Sequence, residues 1–249
     1  MNIALIGYGK MGNIIERIAR ARGHTIKAII DPNIKGNGVH SEITEAALKD
    51  IDVCLDFTHP SVVIENIEKA AKLGKNIVVG TTGWYDQLDD VKNAVKKSNV
   101  GLIYSGNFSI GVNIFLKIIE NAAKLINNAP EYDIFAYELH HNQKADSPSG
   151  TAKMIGDILI KNIERKNKIA TERLDRKISQ DEIHFASVRG GTIPGTHVIG
   201  FDSAADTIEL THTARNREGF ALGAVMAAEF IKGKKGVYGI DDLMKNIMK

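Results

Sequence analysis

The sequence predicts an α/β fold: a Rossmann-like, doubly wound parallel sheet with an inserted α+β domain that carries a mixed or antiparallel sheet. Short β-branched strands alternate with helical segments up to residue 104, a spacing typical of parallel sheets with crossover helices. Strand-like runs then follow one another closely between residues 183 and 213, which favours a second, separate sheet. An apolar helix over residues 218–231 comes later and is expected to pack back against the first domain.

The first part of the chain supplies five predicted strands and three helices. Each strand is a short apolar run, the form of a buried parallel strand. The strands are expected at residues 2–6, 25–30, 53–57, 76–79 and 100–104. Apolar residues at helical spacing predict helices over residues 11–22, 60–73 and 85–97. Gly23 and Gly74 follow two of these helices, at the position where glycine commonly ends a helix.

The pattern changes after Asn107. A helix is predicted from about residue 109 to 126, then a strand over 132–139 and a second helix from Ser149. Three closely spaced strands follow, and we expect them to pair antiparallel. These strands cover residues 183–188, 196–201 and 207–213.

The charge balance and the cysteine count exclude several classes of protein. The 249 residues contain 32 Lys and Arg against 30 Asp and Glu, so the dense basic patch of a nucleic-acid or anionic-membrane binder is not expected. The single cysteine, Cys54, excludes an internal disulfide framework and fits a reducing compartment. We read no signal peptide and no apolar run near the ~18 residues of a membrane span, so we expect a cytoplasmic protein.

A glycine-rich motif lies between the first strand and the first helix. Its residues fit the pattern G-x-G-x-x-G and are Gly7, Tyr8, Gly9, Lys10, Met11 and Gly12. In Rossmann-type domains the first glycine allows a tight turn, the second lets the pyrophosphate approach, and the third lets helix and strand pack closely. Asp31 closes the second strand, where a carboxylate can bind the ribose hydroxyls. The motif therefore predicts a Rossmann-type dinucleotide-binding domain.

The choice between NADH and NADPH stays open. The Asp31 carboxylate repels a 2′-phosphate and favours NADH, whereas Lys10 and Lys35 could offset that repulsion. We expect both cofactors to be used. The predicted domains are a cofactor domain of residues 1–107 completed by 217–249, and a substrate-binding and oligomerisation domain of residues 108–216.

Two loops follow predicted strands at the carboxyl edge of the sheet, where open α/β sheets bind ligands. The loop Gly80-Thr81-Thr82-Gly83 has small residues that would let the nicotinamide half lie close to the backbone. The loop Asp56-Phe57-Thr58 follows the third strand. Taken alone, each is equally well an ordinary strand-to-helix connection.

The segment from Glu138 to Ala152 leaves a strand, passes two histidines and a lysine, and enters a helix. The first turn of a helix presents free N–H groups and the positive end of the dipole, and Gly150 leaves the approach to it open. Ser149 and Thr151 add hydroxyl donors, and Lys144 adds a positive charge. Together these residues predict a site for a small carboxylate-bearing molecule, although Ser149 alone is equally well a helix cap.

The adjacent histidines favour proton transfer over metal binding. Neighbouring residues in an extended chain point to opposite faces, so His140 and His141 are not expected to chelate one ion, and no metal site is predicted. Histidine titrates near neutrality, which suits one of the pair to a general-acid role while the other contacts substrate. Three further histidines lie in predicted strands and are interpreted as structural: His184, His197 and His212. Three arginines flank these strands and could reach a second carboxylate, although each one singly is interpreted as a surface charge: Arg189, Arg215 and Arg217.

These motifs together resemble those of the 4-hydroxy-tetrahydrodipicolinate reductase family, formerly called dihydrodipicolinate reductases. The likeness covers the whole chain, and its most specific part is the segment from Glu138 to Ala152. The other matching motifs, in the family's order, are Gly7–Gly12, Asp56–Thr58, Gly80–Gly83, Asn107–Gly111 and Arg189–His197. Two departures are small: Ser147 stands where alanine is usual, and Lys10 where arginine is common, which could shift the balance between NADH and NADPH.

The resemblance implies NADH- or NADPH-dependent reduction of 4-hydroxy-tetrahydrodipicolinate to tetrahydrodipicolinate, a step of the diaminopimelate route to lysine. It implies that His140 is the catalytic acid with Lys144 as its partner. The implied ligands of the substrate carboxylates are His141, Lys144, Gly150 and Thr151. The implied nicotinamide contacts are Gly80, Thr81, Thr82, Ser105, Gly106, Asn107 and Phe108. The family is typically a homotetramer built through the sheets of its substrate domains, so a homotetramer is expected.

Two alternatives share part of this pattern. An amino-acid dehydrogenase acting on aspartate or homoserine would carry the glycine motif, but not the histidine–lysine–Ser-Gly-Thr segment. A non-catalytic, NADH-sensing protein would need no acid–base residues. Turnover of a cyclic dicarboxylate would exclude both.

Overall fold

The computed structural model describes residues 1–248 of the chain. They form two compact units, one made of residues 1–110 and the segment that starts at Arg217, the other made of Gly111–Asn216. The first unit is therefore discontinuous, and the second is inserted into it. No helix among residues 1–248 is both long enough and apolar enough to cross a membrane.

Seven parallel strands form the sheet of the first unit. They are β1 (Asn2–Ile6), β2 (Thr25–Ile30), β3 (Val39–His40), β4 (Val53–Asp56), β5 (Asn76–Val79), β6 (Gly101–Tyr104) and β12 (Gly236–Gly239). The order across the sheet is β12-β6-β5-β4-β1-β2-β3, which reverses between β1 and β4, the position where open sheets bind ligands. The predicted doubly wound sheet is confirmed. The edge strands β3 and β12 were not predicted because neither forms an apolar run.

Helices cover both faces of this sheet. They are α1 (Lys10–Ala21), α2 (Pro60–Lys72), α3 (Leu88–Ser98), α6 (Glu218–Ile231) and α7 (Ile240–Ile247). A short 3-10 helix, Tyr85–Gln87, precedes α3. One apolar cluster packs α2 and α3 on the sheet, and a second packs α1, α6 and α7 on the opposite face. The prediction that the apolar helix α6 packs against the first domain is confirmed, although the sequence reasoning missed α7.

Gly223 lets α6 approach the backbone that follows β6. A Cβ at this position would lie 1.7 Å from the carbonyl oxygen of Phe108, far inside van der Waals contact. We therefore expect Gly223→Ala to lower the free energy of unfolding by about 3 kcal/mol, measured by urea denaturation. Gly219 is the matched control, since it lies exposed on the same helix and a Cβ there meets only the Ser109 hydroxyl, at 3.4 Å. Gly219→Ala should leave stability unchanged or raise it, because alanine is the better helix former. Equal effects of the two substitutions would contradict the packing argument.

The second unit holds a mixed sheet of five strands. They are β7 (Asp133–His140), β8 (Lys168–Ala170), β9 (Glu182–Arg189), β10 (Thr196–Asp202) and β11 (Thr207–Thr213). Their order is β11-β10-β7-β9-β8. The helix α5 (Gly150–Asn162) lies between β7 and β8, and α4 (Ile110–Asn127) leads into the unit.

The predicted antiparallel pairing is correct for two of the three closely spaced strands and wrong for the third. β10 pairs antiparallel with β11 and with β7, whereas β9 runs parallel to both β7 and β8. The helix α5 forms a crossover connection, which brings the chain back in the same direction, and a long loop precedes β9. β8 was not predicted because it has only 3 residues. The strand β7 thus lies at the centre of the sheet, between β10 and β9.

Candidate active site

A glycine-rich loop connects β1 to α1 at the carboxyl edge of the first sheet. Gly7 has a positive φ of +84°, and a Cβ there would lie 2.7 Å from the Phe57 carbonyl oxygen. A Cβ on Gly12 would lie 2.6 Å from the Gly7 carbonyl oxygen. At Gly9, by contrast, a Cβ would meet no atom of residues 1–248 within 4 Å beyond its chain neighbours. The loop is closed by packing at its first and third glycines and open at the second, the geometry that a pyrophosphate needs.

Asp31 and the start of α1 lie beside this loop. The two carboxylate oxygens of Asp31 accept 2.9 Å hydrogen bonds from the backbone N–H groups of Tyr8 and Asn33. Among the described residues no side chain caps α1 at Gly9, so its first-turn N–H groups can face an anion. A cleft of about 410 Å³ opens here, with a lining that includes Gly9, Asp31, Asn33, His59, Asn66 and Lys69. These residues fit a dinucleotide.

Three of the predicted cofactor-binding residues have side chains that lie apart from the loop's backbone. The Tyr8 hydroxyl donates a short hydrogen bond to Glu16, which is the main cause of a raised pKa of Tyr8. Met11 packs on the apolar core, while Lys10 is exposed. Of these three side chains, Lys10 is therefore the one available to a phosphate.

Gly80 and Thr81 follow β5 and are constrained by the loop after β4. A Cβ on Gly80 would lie 2.1 Å from the Phe57 ring, so packing alone requires glycine here. The Thr81 hydroxyl is buried, donates to Asp56 Oδ1 at 2.9 Å and accepts the Thr58 N–H at 2.9 Å. The Thr81 side chain is therefore used inside the protein, and a ligand can meet only its backbone.

Asp56 is a fully buried carboxylate that ties these loops together. It accepts hydrogen bonds from Thr58, Thr81 and Asn66, the last at 2.8 Å from α2. Burial raises the pKa of Asp56, and its hydrogen bonds oppose that shift. The Asp56-Phe57-Thr58 loop, left ambiguous by its sequence, therefore serves at least to fix the carboxyl ends of β4 and β5.

The turn after β6 brings a second exposed backbone segment beside Thr82. The Ser105 hydroxyl donates to the Asn107 carbonyl at 2.9 Å and accepts the Asn107 N–H at 3.0 Å. Gly106 is exposed, and a Cβ on it would lie 3.4 Å from the Thr82 methyl carbon. Phe108, in contrast, is buried in the apolar core. The structure thus brings Thr82 and Gly106 together at the surface and places the Phe108 ring away from it.

Glu138, near the end of β7, is the centre of a polar cluster in the second unit. It is fully buried, and its Oε1 accepts hydrogen bonds from the Ser149 N–H at 2.9 Å and the Ser187 hydroxyl at 2.9 Å. Arg189 Nη2 donates to the same oxygen at 2.8 Å. Ser187 reaches it because Ser187 of β9 lies directly opposite Glu138 in the strand register. Three donors therefore fix one carboxylate oxygen.

Two imidazoles converge on the other oxygen of this carboxylate. Glu138 Oε2 lies 3.4 Å from His140 Nδ1 and 3.3 Å from His197 Nε2. His140 shares the buried face of β7 with Glu138 because side chains two residues apart point the same way. His197 lies opposite Glu138 in the register of β10 with β7. Within residues 1–248, neither Glu138 Oε2 nor His140 Nδ1 has a hydrogen-bond partner of good geometry.

The same three side chains are a group of potential metal ligands among the described residues. The ligand atoms of Glu138, His140 and His197 lie within 4.8 Å of one another. The Arg189 guanidinium already pairs with this carboxylate at 2.8 Å, so the charge that would attract a cation is compensated. We interpret the cluster as a proton-holding network.

Burial and neighbouring charges shift the pKa values in this cluster. Burial raises the pKa of Glu138, but interactions with His197, Ser149 and Arg189 outweigh it and hold that pKa well below its ordinary value. Burial also lowers the pKa of His140 from 6.5 to about 4; the Glu138 carboxylate opposes this shift, while His197, Lys144 and Arg189 add to it. His140 is therefore neutral at pH 7 in this structure, and a role as acid requires that a nearby anion raise its pKa.

The lowered pKa of His140 makes the stability of the fold depend on pH. Between about pH 6.5 and 4 the unfolded chain binds a proton at His140 and the folded chain does not, so the free energy of unfolding decreases as the pH falls. The loss is on the order of 1–3 kcal/mol, measured by urea denaturation at several pH values. His140→Gln should lose less stability over that range. Equal losses in the two proteins would contradict this assignment.

The loop between β7 and α5 places a lysine beside the cluster. Lys144 Nζ pairs with Asp146 Oδ1 at 2.6 Å, and the Lys144 side chain is 22% exposed. The Asp146 carbonyl accepts a 2.7 Å hydrogen bond from Arg189, which ties this loop to β9. His141 is half-buried at the start of the loop. Lys144 therefore lies near both the His140 cluster and solvent.

The N-terminus of α5 combines a satisfied cap with an open first turn. Ser149 is 3% exposed, and its hydroxyl accepts the Ala152 N–H at 3.1 Å, so it caps the helix. Gly150 is exposed, with no other part of the described chain within 4 Å of a Cβ built there, and Thr151 is half-buried beside it. The backbone N–H groups of Gly150 and Thr151 are thus the groups that an anion can reach.

The structure corrects the interpretation of Arg189, which is no surface charge because it pairs with the buried Glu138 carboxylate. His197 is a buried strand histidine with polar partners, since its Nε2 lies 3.2 Å from the Ser149 hydroxyl oxygen and 3.3 Å from Glu138 Oε2. Arg215 and Arg217 are exposed. No separate role for Glu138 is predicted from the sequence. The i, i+2 spacing of Glu138 and His140 on one strand was the signal for their contact, whereas His197 depends on a register that no local pattern shows.

Comparison with known proteins assigns the chain to a family. Residues 1–108 match the model of the N-terminal part of dihydrodipicolinate reductase, and residues 111–244 match that of the C-terminal part. The chain is 38% identical over 249 residues to 4-hydroxy-tetrahydrodipicolinate reductase of Christiangramia forsetii, with 100% of both chains covered. It is 39% identical over 262 residues to the enzyme of that name from Archaeoglobus fulgidus, with 98% of this chain and 100% of the relative covered.

Solved structures share the fold. A dipicolinate-bound dihydrodipicolinate reductase from a Paenisporosarcina species has a TM-score of 0.77 at 23% identity, with 97% of this chain and 98% of that one covered. The DAP dehydrogenase of C. glutamicum has a TM-score of 0.55 at 13% identity, with 100% of this chain and 98% of that one covered. At such identities these likenesses concern the fold alone. The family models and full-length relatives decide the assignment: the chain belongs to the dihydrodipicolinate reductase family.

Proposed function

We propose that this chain uses NADH or NADPH to reduce 4-hydroxy-tetrahydrodipicolinate to tetrahydrodipicolinate, in the diaminopimelate route to lysine, with His140 and Lys144 as its catalytic residues. Family membership supports the activity. The observation that supports these residues is the meeting of the Glu138–His140 pair, Lys144 and the open first turn of α5 at one end of β7. This end of the strand joins a proton-holding group to groups that bind anions.

The substrate carboxylates are held by the loop and helix that follow β7. The N–H groups of Gly150 and Thr151 and the positive end of the α5 dipole attract a carboxylate. Lys144 adds a full positive charge, and His141 offers a further donor. Ser149 acts indirectly, since its hydroxyl caps α5 and keeps the first turn in place. A substrate carboxylate would take the place of the Asp146 carboxylate that pairs with Lys144 in this structure, and the first-turn N–H groups would give the dicarboxylate further donors.

The proton comes from His140. The 4-hydroxyl group of the substrate must leave as water, which gives a conjugated dihydro ring, and reduced nicotinamide, when bound, would supply a hydride to that ring. The ring is left with an electron pair that must take up a proton, and His140 Nε2 delivers it, directly or through water. The two carboxylates of the substrate raise the pKa of His140 from its low value in this structure, so the imidazole gains its proton as the substrate binds. After it has given up its proton, His140 is neutral, which is the form that its buried surroundings favour.

The cofactor is held by the first unit. The backbone from Gly7 to Gly12 would bind the pyrophosphate, and Asp31 would bind the adenosine ribose. The exposed backbone near Thr82 and Gly106 would contact the nicotinamide, together with the backbones of Gly80, Thr81, Ser105, Asn107 and Phe108. Asp31 favours NADH, and Lys10 and Lys35 make NADPH acceptable.

We also propose a homotetramer, built through the sheet of the second unit. The outer face of that sheet carries apolar side chains that its own helices leave partly exposed, including Tyr137, Leu139 and Val188. Covering such a face with another copy removes apolar area from water. Light scattering on the purified protein measures the mass that tests this assembly.

A coupled assay tests the activity. Dihydrodipicolinate synthase generates the substrate from pyruvate and aspartate semialdehyde, and the loss of NADH or NADPH absorbance is followed. We expect oxidation that depends on the synthase and on the chain. Protein that binds NADH but oxidises neither cofactor under these conditions would overturn the proposed function. Aspartate and homoserine, tested in parallel, exclude an amino-acid dehydrogenase when neither supports turnover.

A further inference from the structure

The least explained feature of the His140 cluster is the second oxygen of Glu138. Oε1 is fixed by three donors, whereas the buried Oε2 has two imidazole nitrogens within 3.4 Å and, among residues 1–248, no hydrogen bond of good geometry. A buried carboxylate oxygen without a hydrogen bond is costly. A proton on His140 Nδ1 would complete a hydrogen bond to Glu138 Oε2.

We propose that Glu138 is a positioning residue for His140, and that His197 competes with His140 for the same carboxylate oxygen. This inference rests on the proposed function of His140. Glu138 orients the His140 ring, keeps the Nδ1 proton toward Oε2, and leaves Nε2 to exchange its proton with substrate. His197 Nε2 lies 3.3 Å from Oε2 and 3.2 Å from the Ser149 hydroxyl oxygen, and when its proton is directed to Oε2 it limits the stabilisation of protonated His140.

The strand register makes Glu138 a rigid support. Ser187 on β9 and His197 on β10 lie opposite Glu138 on its two sides, so the carboxylate is held across three neighbouring strands. The Ser149 N–H adds a fourth element, the start of α5. A carboxylate fixed in this way selects one ring tautomer of its histidine partner, because it accepts only from a protonated nitrogen.

Glu138 is the group in the cluster whose charge favours a proton on His140. The cationic and N–H groups around the imidazole oppose that proton: Arg189 from β9, His197 from β10 and Lys144 from the loop. Gly195, just before β10, borders the other nitrogen, since a Cβ there would lie 3.0 Å from His140 Nε2. Removing the Glu138 charge should therefore make His140 harder to protonate, and removing His197 should make it easier.

The two substitutions shift the pKa of His140 in opposite directions. With dipicolinate (pyridine-2,6-dicarboxylate) bound as a probe, NMR titration should show this pKa lower by about one unit or more in Glu138→Gln. In His197→Asn it should be higher.

The kcat of Glu138→Gln should fall about tenfold or more at pH values above the pKa of His140, with little change in KM, because each unit of pKa changes the protonated fraction tenfold. The basic limb of its pH profile should move to lower pH, and that of His197→Asn to higher pH.

Glu182 provides the matched control. It is a second buried glutamate of the same sheet. Among residues 1–248 its ion-pair partners are Lys168 and Arg176, neither of which is a histidine. Glu182→Gln should reduce stability while leaving the pKa of His140 and the pH profile unchanged. An unshifted His140 pKa in both Glu138→Gln and His197→Asn would overturn the inference, and so would shifts of the same sign. Failure of the proposed function itself shows separately, as wild-type protein that lacks turnover in the coupled assay.

Discussion

His140→Gln should lower kcat by roughly 10²–10⁴-fold, the range expected when a general acid is removed. Glutamine keeps the volume and a hydrogen-bonding end but cannot deliver a proton near neutral pH. KM for the dicarboxylate should change little, because Lys144 and the first turn of α5 remain. The coupled assay, run from about pH 5.5 to 9, measures kcat and the shape of the pH profile, which should lose its basic limb in the variant.

A matched histidine separates this effect from general damage to the sheet. His184 lies on β9 of the same unit, outside the Glu138 cluster, and is half-buried. His184→Gln should keep kcat within a few-fold of the wild-type value, with an unchanged profile. A His140→Gln protein whose pH profile keeps the wild-type shape would contradict the general-acid role of His140, whatever the size of its kcat.

Lys144→Ala should both impair turnover and raise KM for the dicarboxylate. The lysine places its charge near the carboxylate-binding turn, and a hydrogen bond to a charged group contributes about 1.5–3 kcal/mol. We therefore expect kcat/KM to fall by about 10- to 100-fold, or more where Lys144 also orients the ring for proton transfer. Affinity for NADH should stay unchanged, since the predicted cofactor residues all lie in the first unit. Steady-state kinetics and fluorescence titration with NADH measure the two effects.

Lys153 offers the control for this loss of charge. It is an exposed lysine of α5 whose backbone N–H is already bonded to the Ser149 carbonyl, so only its side-chain charge is removed by the substitution. Lys153→Ala should leave kcat/KM nearly unchanged, because a solvated charge on a helix flank is screened. Weaker NADH binding in Lys144→Ala would instead argue that this lysine supports the cofactor.

Local patterns in the sequence were enough to predict most of the first unit. The strands that were predicted there are buried apolar runs, and the crossover helices fix their parallel direction. The strands that were missed are short or glycine-rich, as in Val39–His40 and Gly236–Gly239. The direction of β9 was missed because it depends on how the chain returns after α5, which no local periodicity encodes.

The candidate site likewise has one part that local sequence patterns predict and another that they do not. The anion-binding turn could be predicted, because Lys144, Gly150 and Thr151 lie close together in the sequence and their chemistry is evident. Glu138 and His140 were adjacent on one face by simple strand alternation. Arg189 and His197 are about 50 and 60 residues further on, and only the register of β7 with β9 and β10 brings them to Glu138. Their roles therefore depend on tertiary structure.

The discontinuity of the first unit also determines when the chain can complete it during synthesis. The helix α6 covers the sheet face shared with α1, and Arg22 pairs with Glu229 at 2.8 Å although the two are 207 residues apart. A growing chain on the ribosome leaves that apolar face uncovered until α6 has emerged. The second unit is one continuous segment and can fold first. The first unit is then the last to close and the part most exposed to aggregation during translation.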